Sequence, residues 1–179
     1  MTSTEHSQVD PVVVLPPEAA GAAEDRDVGG ITRLVNLWAD TGLTLRRREA
    51  EVRAHLGQFV VARDGADTVA GCAALSVVVP GLAEVRSVVV DPARKGTGVS
   101  RIVMRAVLER ATRLGVDELV LLTKEPTFFA KHGFEAVDPR RLPQAFVQRV
   151  VLEPGRSFIE RTAMRRIAGL AEAAAAVAG

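Results

Sequence analysis

The chain has 179 residues, 47% apolar and 25% charged, enough for one domain with a real core and not for two. A formal net charge of +1 offers nothing for nucleic acid or an acidic membrane surface to hold. The single cysteine, Cys72, excludes an internal disulfide and any multi-cysteine metal site.

Residues 1–10 are polar and read as a disordered tail, without the charged-then-apolar pattern of a signal peptide. No apolar run is long enough to span a bilayer, so a cytoplasmic protein is expected. From residue 11 to 179 the chain reads as one domain without internal repeats.

Val12–Leu15 suits a first strand, stopped by Pro16-Pro17, and 18–26 reads as a loop. Asp27 can cap a helix that puts Val28, Ile31, Leu34, Val35 and Trp38 on one face, ending at Gly42. Arg46-Arg47-Arg48 leads into a short helix with Val52 and Leu56 inward. Phe59–Arg63 and Thr68–Val79 are strands around an Asp64-Gly65 turn, with Gly71 at a bulge. Pro80-Gly81 turns the chain into the strand 83–90, whose alternation puts Glu84, Arg86, Val88 and Val90 on one face.

The most informative stretch follows. A β-branched strand runs into Asp91-Pro92, then Arg94-Lys95-Gly96-Thr97-Gly98, then a helix with Val99, Ile102, Val103, Ala106 and Val107 on one face. Glycines at 96 and 98 allow close approach of the backbone to a ligand. The helix start behind them offers unpaired N–H groups and a positive dipole end, and Arg94 and Lys95 add charge. This is a pyrophosphate cradle; it lacks the Gly-Lys-Ser/Thr of a P-loop and the third glycine of a dinucleotide fingerprint.

Gly115 ends that helix, and Glu118–Thr123 is a strand apolar enough to be buried on both faces. A short helix from Pro126 to Lys131 closes at Gly133, and Phe134–Val137 begins another strand. Beyond Pro143 the pattern is weak until about 157. From there Phe158, Ile159, Ala163, Ile167 and Leu170 recur at roughly helical spacing, which predicts a C-terminal helix. That helix packs either on a second copy of the chain, making a homodimer, or on its own sheet. The alternation as a whole predicts an α/β fold with helices on a mixed sheet.

The cradle resembles motif A of the GNAT superfamily of N-acetyltransferases. Lys95, Gly98 and Ser100 match its Arg/Gln-x-x-Gly-x-Gly/Ala signature, with Gly96 as the extra glycine. Lys95 departs from the usual Arg or Gln, and Ser100 from Gly or Ala. The resemblance implies a mostly antiparallel central sheet with splayed fourth and fifth strands and helices on both faces. It implies acetyl-CoA as acyl donor and no metal. The pyrophosphate would bind at Lys95, Gly96, Thr97, Gly98, Val99, Ser100 and Arg101, and the pantetheine arm along the backbone of Val88, Val89 and Val90.

Residues 26–146 are similar to the acetyltransferase domain of bacterial N-acetylglutamate synthases, in the short, stand-alone form. Three blocks carry this: Asp27–Ile31 with Gly42–Arg47 and Phe59–Asp64; Val69–Leu75 with Ala83-Glu84 and Val88–Pro92; and Leu121–Lys124 with Phe129, Gly133-Phe134 and Leu142-Pro143. Larger members add an amino-acid-kinase domain that binds arginine, which is not expected here. The resemblance implies acetyl transfer to the α-amine of an amino acid, L-glutamate, in arginine biosynthesis. Glu84 would be the general base and Thr123 a hydroxyl acid; this chain has no tyrosine for the acid's usual role. Arg46 and Arg47 are the candidate carboxylate clamps, with Arg86 and Lys124 as further contacts. The family's Arg-x-Ser element has two imperfect matches, Arg156-Ser157 and Arg161-Thr162. Two alternatives remain open from sequence: an acetyltransferase for another small amine, and a non-catalytic CoA-binding sensor or scaffold. Cys72, in an apolar strand, reads as a small core residue.

Overall fold

The β-rich centre of the chain builds the sheet, and the amphipathic segments cover it. The computed structural model describes residues 20–168. Its strands are β1 (Ala20–Ala22), β2 (Phe59–Arg63), β3 (Val69–Val79), β4 (Leu82–Val90), β5 (Glu118–Thr123), β6 (Glu135–Ala136) and β7 (Thr162–Ile167). Its α-helices are α1 (Val28–Ala39), α2 (Glu49–Ala54), α3 (Val99–Arg113), α4 (Pro126–Ala130) and α5 (Gln144–Leu152). The sheet order is β1-β2-β3-β4-β5-β7-β6, antiparallel except at β4–β5.

Period-two alternation divides the sheet into two faces. Val60, Ala62, Ala73, Leu75, Ala83, Val85, Leu119 and Leu121 pack under α3 through Val99, Val103, Met104 and Val107. Val61, Cys72, Ala74 and Val89 pack on the other face against Val28, Ile31, Leu34 and Val35 of α1. Leu82, Val120 and Ala163 meet Phe146 and Val150 of α5 on that same second face. α3 sits close to the sheet because β3 has no side chain at Gly71. A Cβ there would lie 2.7 Å from Val99 Cγ1 and 3.1 Å from the Val89 carbonyl. The predicted irregularity is adjacent: Ala62 pairs Gly71 but Arg63 pairs Val69, leaving Ala70 as the extra residue.

Asp27 precedes α1 but does not cap it through its side chain. Its buried carboxylate accepts the Glu24 N–H at 2.6 Å and a two-bond fork from Arg63 at 2.9 and 2.6 Å. Burial pushes its pKa up, but those hydrogen bonds and the Arg63 charge outweigh burial and hold it below the usual range.

Three expectations are corrected. Part of the expected loop 18–26 is β1, which pairs with β2 from Ala20↔Ala62 to Ala22↔Val60. A three-residue Ala-Gly-Ala edge carries no alternation to read. Residues 157–167 do not form a helix: β7 lies antiparallel to β5 over six residue pairs. Its adjacent residues Ala163 and Met164 are buried in cores on opposite faces, a strand periodicity that the coincidental 3.6 spacing hid. The segment after Pro143, where the pattern is weak, is α5. The expected strand 12–15, the tail 1–10 and the end of the predicted C-terminal helix lie outside the described residues. No helix among the described residues is long and apolar enough to cross a membrane.

The close seat of α3 on β3 gives a direct stability test. Gly71→Ala overpacks a buried contact that includes backbone, so denaturant melts should show a loss of about 1–3 kcal/mol.

Candidate functional site

β4 and β5 separate midway. They pair in parallel only from Leu82↔Glu118 to Glu84↔Val120. Beyond that point β5 stays with β7, while β4 follows β3 through a bulge. Ala74 pairs Arg86 but Cys72 pairs Val89, so three residues of β4 span two of β3, with Ser87 at φ +51°. The bulge corrects the alternation read from sequence. Glu84 and Arg86 keep one face, but Val88 and Val90 join Val85 on the α3 face and Val89 takes the other. Past Glu84 the edge of β4 facing β5 has no strand partner.

The cradle lies at the end of β4. Asp91 starts the turn, its Oδ1 accepting the Ala93 N–H at 3.0 Å. Gly96 and Gly98 have φ of +81° and +89°, and a Cβ on either would meet nothing within 4 Å. Among the described residues, no acceptor bonds the N–H groups of Gly96, Gly98, Val99 and Ser100. They converge at the N-terminus of the 15-residue α3. Left-handed glycines, open space and free donors at a positive helix end fit a pyrophosphate. Arg94 is not one of the free charges, since it is bound to Asp64 at 2.9 Å. Thr97 turns both its N–H and its hydroxyl onto the Arg94 carbonyl. Lys95 and Arg101 are exposed and have no carboxylate partner among the described residues. The Val90 carbonyl accepts the Trp38 indole N–H at 2.8 Å, tying α1 to the end of β4.

A cleft open to solvent fills the fork between the strands. Val85, Arg86 and Ser87 of β4, Leu122 of β5 and Leu43–Leu45 form its walls with Arg47, Glu84, Arg156 and Arg161. Glu84 is 1% exposed. Arg156 forks onto both its oxygens, one contact at 3.1 Å, and Arg86 and Arg149 stand 3.8 and 4.0 Å away. The Arg156 side chain is 8% exposed and lies over the Phe146 ring at 5.7 Å. Glu153 binds Arg86, reaches Arg156 at 3.2 Å and Arg47 at 3.7 Å.

Two guanidiniums in this cleft lack a carboxylate of their own among the described residues. Arg161 donates to the carbonyls of Gly42 and Leu43 at 2.9 and 3.3 Å and pairs with no carboxylate there. Arg47 shares Glu153, at 3.7 Å, with Arg86 and Arg156. Asn36 clamps the Arg47 main chain from α1, accepting its N–H at 2.8 Å and donating to its carbonyl at 2.9 Å. Burial and the Arg86 charge lower the Arg47 pKa, and burial and the Arg156 charge lower that of Arg161. Both groups stay cationic, and both would gain from a bound anion.

Of the residues singled out from sequence, Glu84, Arg47 and Arg86 meet in the cleft. Arg46 does not; it turns outward and pairs with Asp40 in solvent. Lys124 sits outside the lining, 3.8 Å from Glu160. Thr123 is buried at the end of β5, its hydroxyl accepting the Glu125 N–H at 2.9 Å. It follows Leu119 and Leu121 in alternation, on the face opposite Glu84. Arg156 and Arg161, imperfect matches in sequence, both enter the cleft. Arg149 and Glu153 carried no signal, because a charge in a weakly patterned helix looks like any solvated one. The Cys72 thiol is fully buried and pushed up to about 12, which removes it as a nucleophile.

Residues 30–134 match the Acetyltransferase (GNAT) family. An amino-acid acetyltransferase of Mycobacterium tuberculosis is 34% identical over 118 residues, 65% of this chain and 67% of that protein. An amino-acid acetyltransferase of Aeromonas salmonicida is 32% identical over 129 residues, 70% of this chain but 29% of that longer protein. Rv2747 from Mycobacterium tuberculosis, solved in complex with CoA and NLQ, superposes with a TM-score of 0.74 at 27% identity, covering 83% of this chain and 98% of that one. The fold is shared with the N-acetylglutamate synthase of Neisseria gonorrhoeae, solved with coenzyme A and N-acetyl-glutamate, at a TM-score of 0.71 and 21% identity over 83% of this chain and 34% of that one. The chain belongs to the GNAT acetyltransferase family and is an acetyl-CoA-dependent N-acetyltransferase.

The cradle makes a prediction that does not depend on the acceptor. Gly98→Ala puts a methyl group into a φ +89° backbone and into the open space. The free loop relieves that strain of about 1–3 kcal/mol by leaving the cradle geometry, which binding must restore, so calorimetry should show CoA binding weakened about tenfold while the Gly71 contact and the core are untouched.

Proposed function

We propose that this member of the GNAT family transfers an acetyl group from acetyl-CoA to the α-amine of an amino acid, that the acceptor is L-glutamate, and that the reaction serves arginine biosynthesis. The names of the curated relatives support the amino-acid class. The observation that carries the acceptor is the charge of the cleft. Four guanidiniums, those of Arg47, Arg86, Arg156 and Arg161, stand against the carboxylates of Glu84 and Glu153, and Arg149 adds a fifth at 4.0 Å from Glu84, so positive charge exceeds negative by more than two. A dicarboxylic amino acid with a neutral amine carries two negative charges and supplies partners for Arg47 and Arg161 together. A neutral amino acid supplies one, and a diamine none.

Acetyl-CoA brings an acyl group activated as a thioester. The chain's own residues bind and orient. The free N–H groups of Gly96, Gly98, Val99 and Ser100, with Lys95 and Arg101, hold the pyrophosphate. The edge of β4 from Val88 to Val90, which has no strand partner among the described residues and whose Val90 carbonyl holds Trp38, lies along the pantetheine arm. Arg47 and Arg161 fix the acceptor by its carboxylates. The amine is thereby directed at Glu84, which accepts its proton directly or through a water. The Arg156 fork engages both carboxylate oxygens of Glu84, so the amine shares one of them with the guanidinium or reaches it through a water.

Thiol release from acetyl-CoA against a panel of amino acids separates the readings. Glutamate should be the preferred acceptor. Arg161→Ala and Arg47→Ala should each raise its KM about 10- to 100-fold, the value of a charge-assisted pair, with the KM for acetyl-CoA nearly unchanged. Glu84→Gln should lower kcat about 100-fold or more. Activity with another amine keeps the reaction and discards glutamate. Silence across the panel with CoA bound moves the acceptor outside the amino acids.

A further inference from the structure

We infer that Glu153 is a specificity-determining residue, which fixes the number of unneutralised guanidiniums in the acceptor cleft and so the charge of the acceptor it selects. The inference rests on the acceptor reading above, and it concerns a residue that no motif carries.

Glu153 lies directly after α5, where its backbone N–H closes the helix onto the Arg149 carbonyl at 3.1 Å. Its carboxylate therefore projects from a fixed helix end into the arginine cluster. It binds Arg86, reaches Arg156 at 3.2 Å and approaches Arg47 at 3.7 Å. Arg86 and Arg156 are 13% and 8% exposed in their side chains. Without Glu153, the nearest carboxylate to Arg86 is that of Glu84 at 3.8 Å, already forked by Arg156. Displacement would strip the partly buried Glu153 carboxylate of Arg86, Arg156 and Arg47 together, so an acceptor does not take its place on Arg86. Glu153 is a permanent counter-charge, and Arg47 and Arg161 remain for the substrate.

The remaining titratable groups around the cluster agree with this division. Glu51, near Arg47, is engaged by Arg48 through both backbone and side chain. Arg149 faces Ser76, bonding its hydroxyl at 2.6 Å. Burial pushes the Glu153 pKa up, but the Arg86 hydrogen bond and the charges of Arg86, Arg156 and Arg47 outweigh it and keep the carboxylate ionised at neutral pH.

The test is Glu153→Gln, which keeps shape and removes charge, with Glu153→Asp as the charge-retaining control. The readout is the ratio of kcat/KM for glutamate to that for glutamine, two acceptors that differ by one charge at nearly constant shape. An added unit charge in a half-buried cleft should raise this ratio about tenfold in Glu153→Gln and leave it near the native value in Glu153→Asp. A merely structural role would lower both kcat/KM values together, and an unchanged ratio overturns the inference. Binding of glutarate to the CoA-loaded protein, measured by calorimetry, provides a readout without chemistry. Tighter binding to Glu153→Gln than to the native chain supports the inference, and equal, weaker or absent binding overturns it. If the native chain acetylates no acidic amino acid while glutarate binds more tightly to Glu153→Gln, the acceptor reading fails and the control of cleft charge by Glu153 stands.

Discussion

Everything functional in this chain depends on where the parallel pairing of β4 and β5 stops. Three residue pairs hold the strands together, and the last of them contains Glu84. Two independent constraints then pull the strands apart. β5 is committed along its full length to β7 on its other side. β4 is committed to β3, and the bulge at Ser87 increases its twist where pairing with β5 would have continued. The fork exposes backbone groups that a closed sheet would have satisfied. A folded domain carries unpaired backbone at its centre only where water or a ligand completes it. The fork also sets a direction, because β4 leads from Glu84 at the cleft to the cradle at its far end.

The second constraint is electrostatic. A carboxylate as buried as Glu84 costs several kcal/mol unless it is paired and hydrogen-bonded. Arg156 pairs it, and Arg156 comes from the segment between α5 and β7. That segment also brings Glu153 and Arg161. The C-terminal part of the fold is therefore half of the proposed acceptor cleft. Glu84 on the central sheet is satisfied only when α5 and β7 are in place. Arg161 extends the coupling, because its hydrogen bonds to the Gly42 and Leu43 carbonyls tie β7 to the loop that presents Arg47.

This division explains what could be read in the sequence. α3, the cradle and strands β2 to β5 announce themselves through local rules: β-branched alternation, glycines at fixed offsets and an apolar helix stripe. The proposed cofactor side of the site is built almost entirely from that contiguous stretch. The proposed acceptor side is built from residues brought together across some 70 to 120 positions, as in Glu84 with Arg156 and Gly42 with Arg161. Nothing local distinguishes Arg161 from Arg46, yet one enters the cleft and the other faces solvent. The difference lies in the pairing of β7 with β5 and in the Asn36 clamp, both tertiary. β7 itself escaped because only two of its six residues, Ala163 and Met164, are buried, one on each face, too short a pattern to show alternation, and its apolar positions also fit a helix.

The Glu84–Arg156 pair gives the proposed chemistry its physical condition. Arg156 engages both oxygens of Glu84, so a donor amine must approach a lone pair that the fork leaves free or reach it through a water. That approach is a matter of position. On the proposed reading an acceptor with two carboxylates is held at two points, Arg47 and Arg161, and two points fix the direction of its amine as well as its place. A monocarboxylic acceptor is held at one point and can rotate about it. Arg47 and Arg161 are themselves tied, by the Asn36 clamp and by the Gly42 and Leu43 carbonyls. Acceptor recognition and alignment of the amine on Glu84 are then one geometric event. Discrimination between acidic and neutral amino acids would appear in kcat as well as in binding.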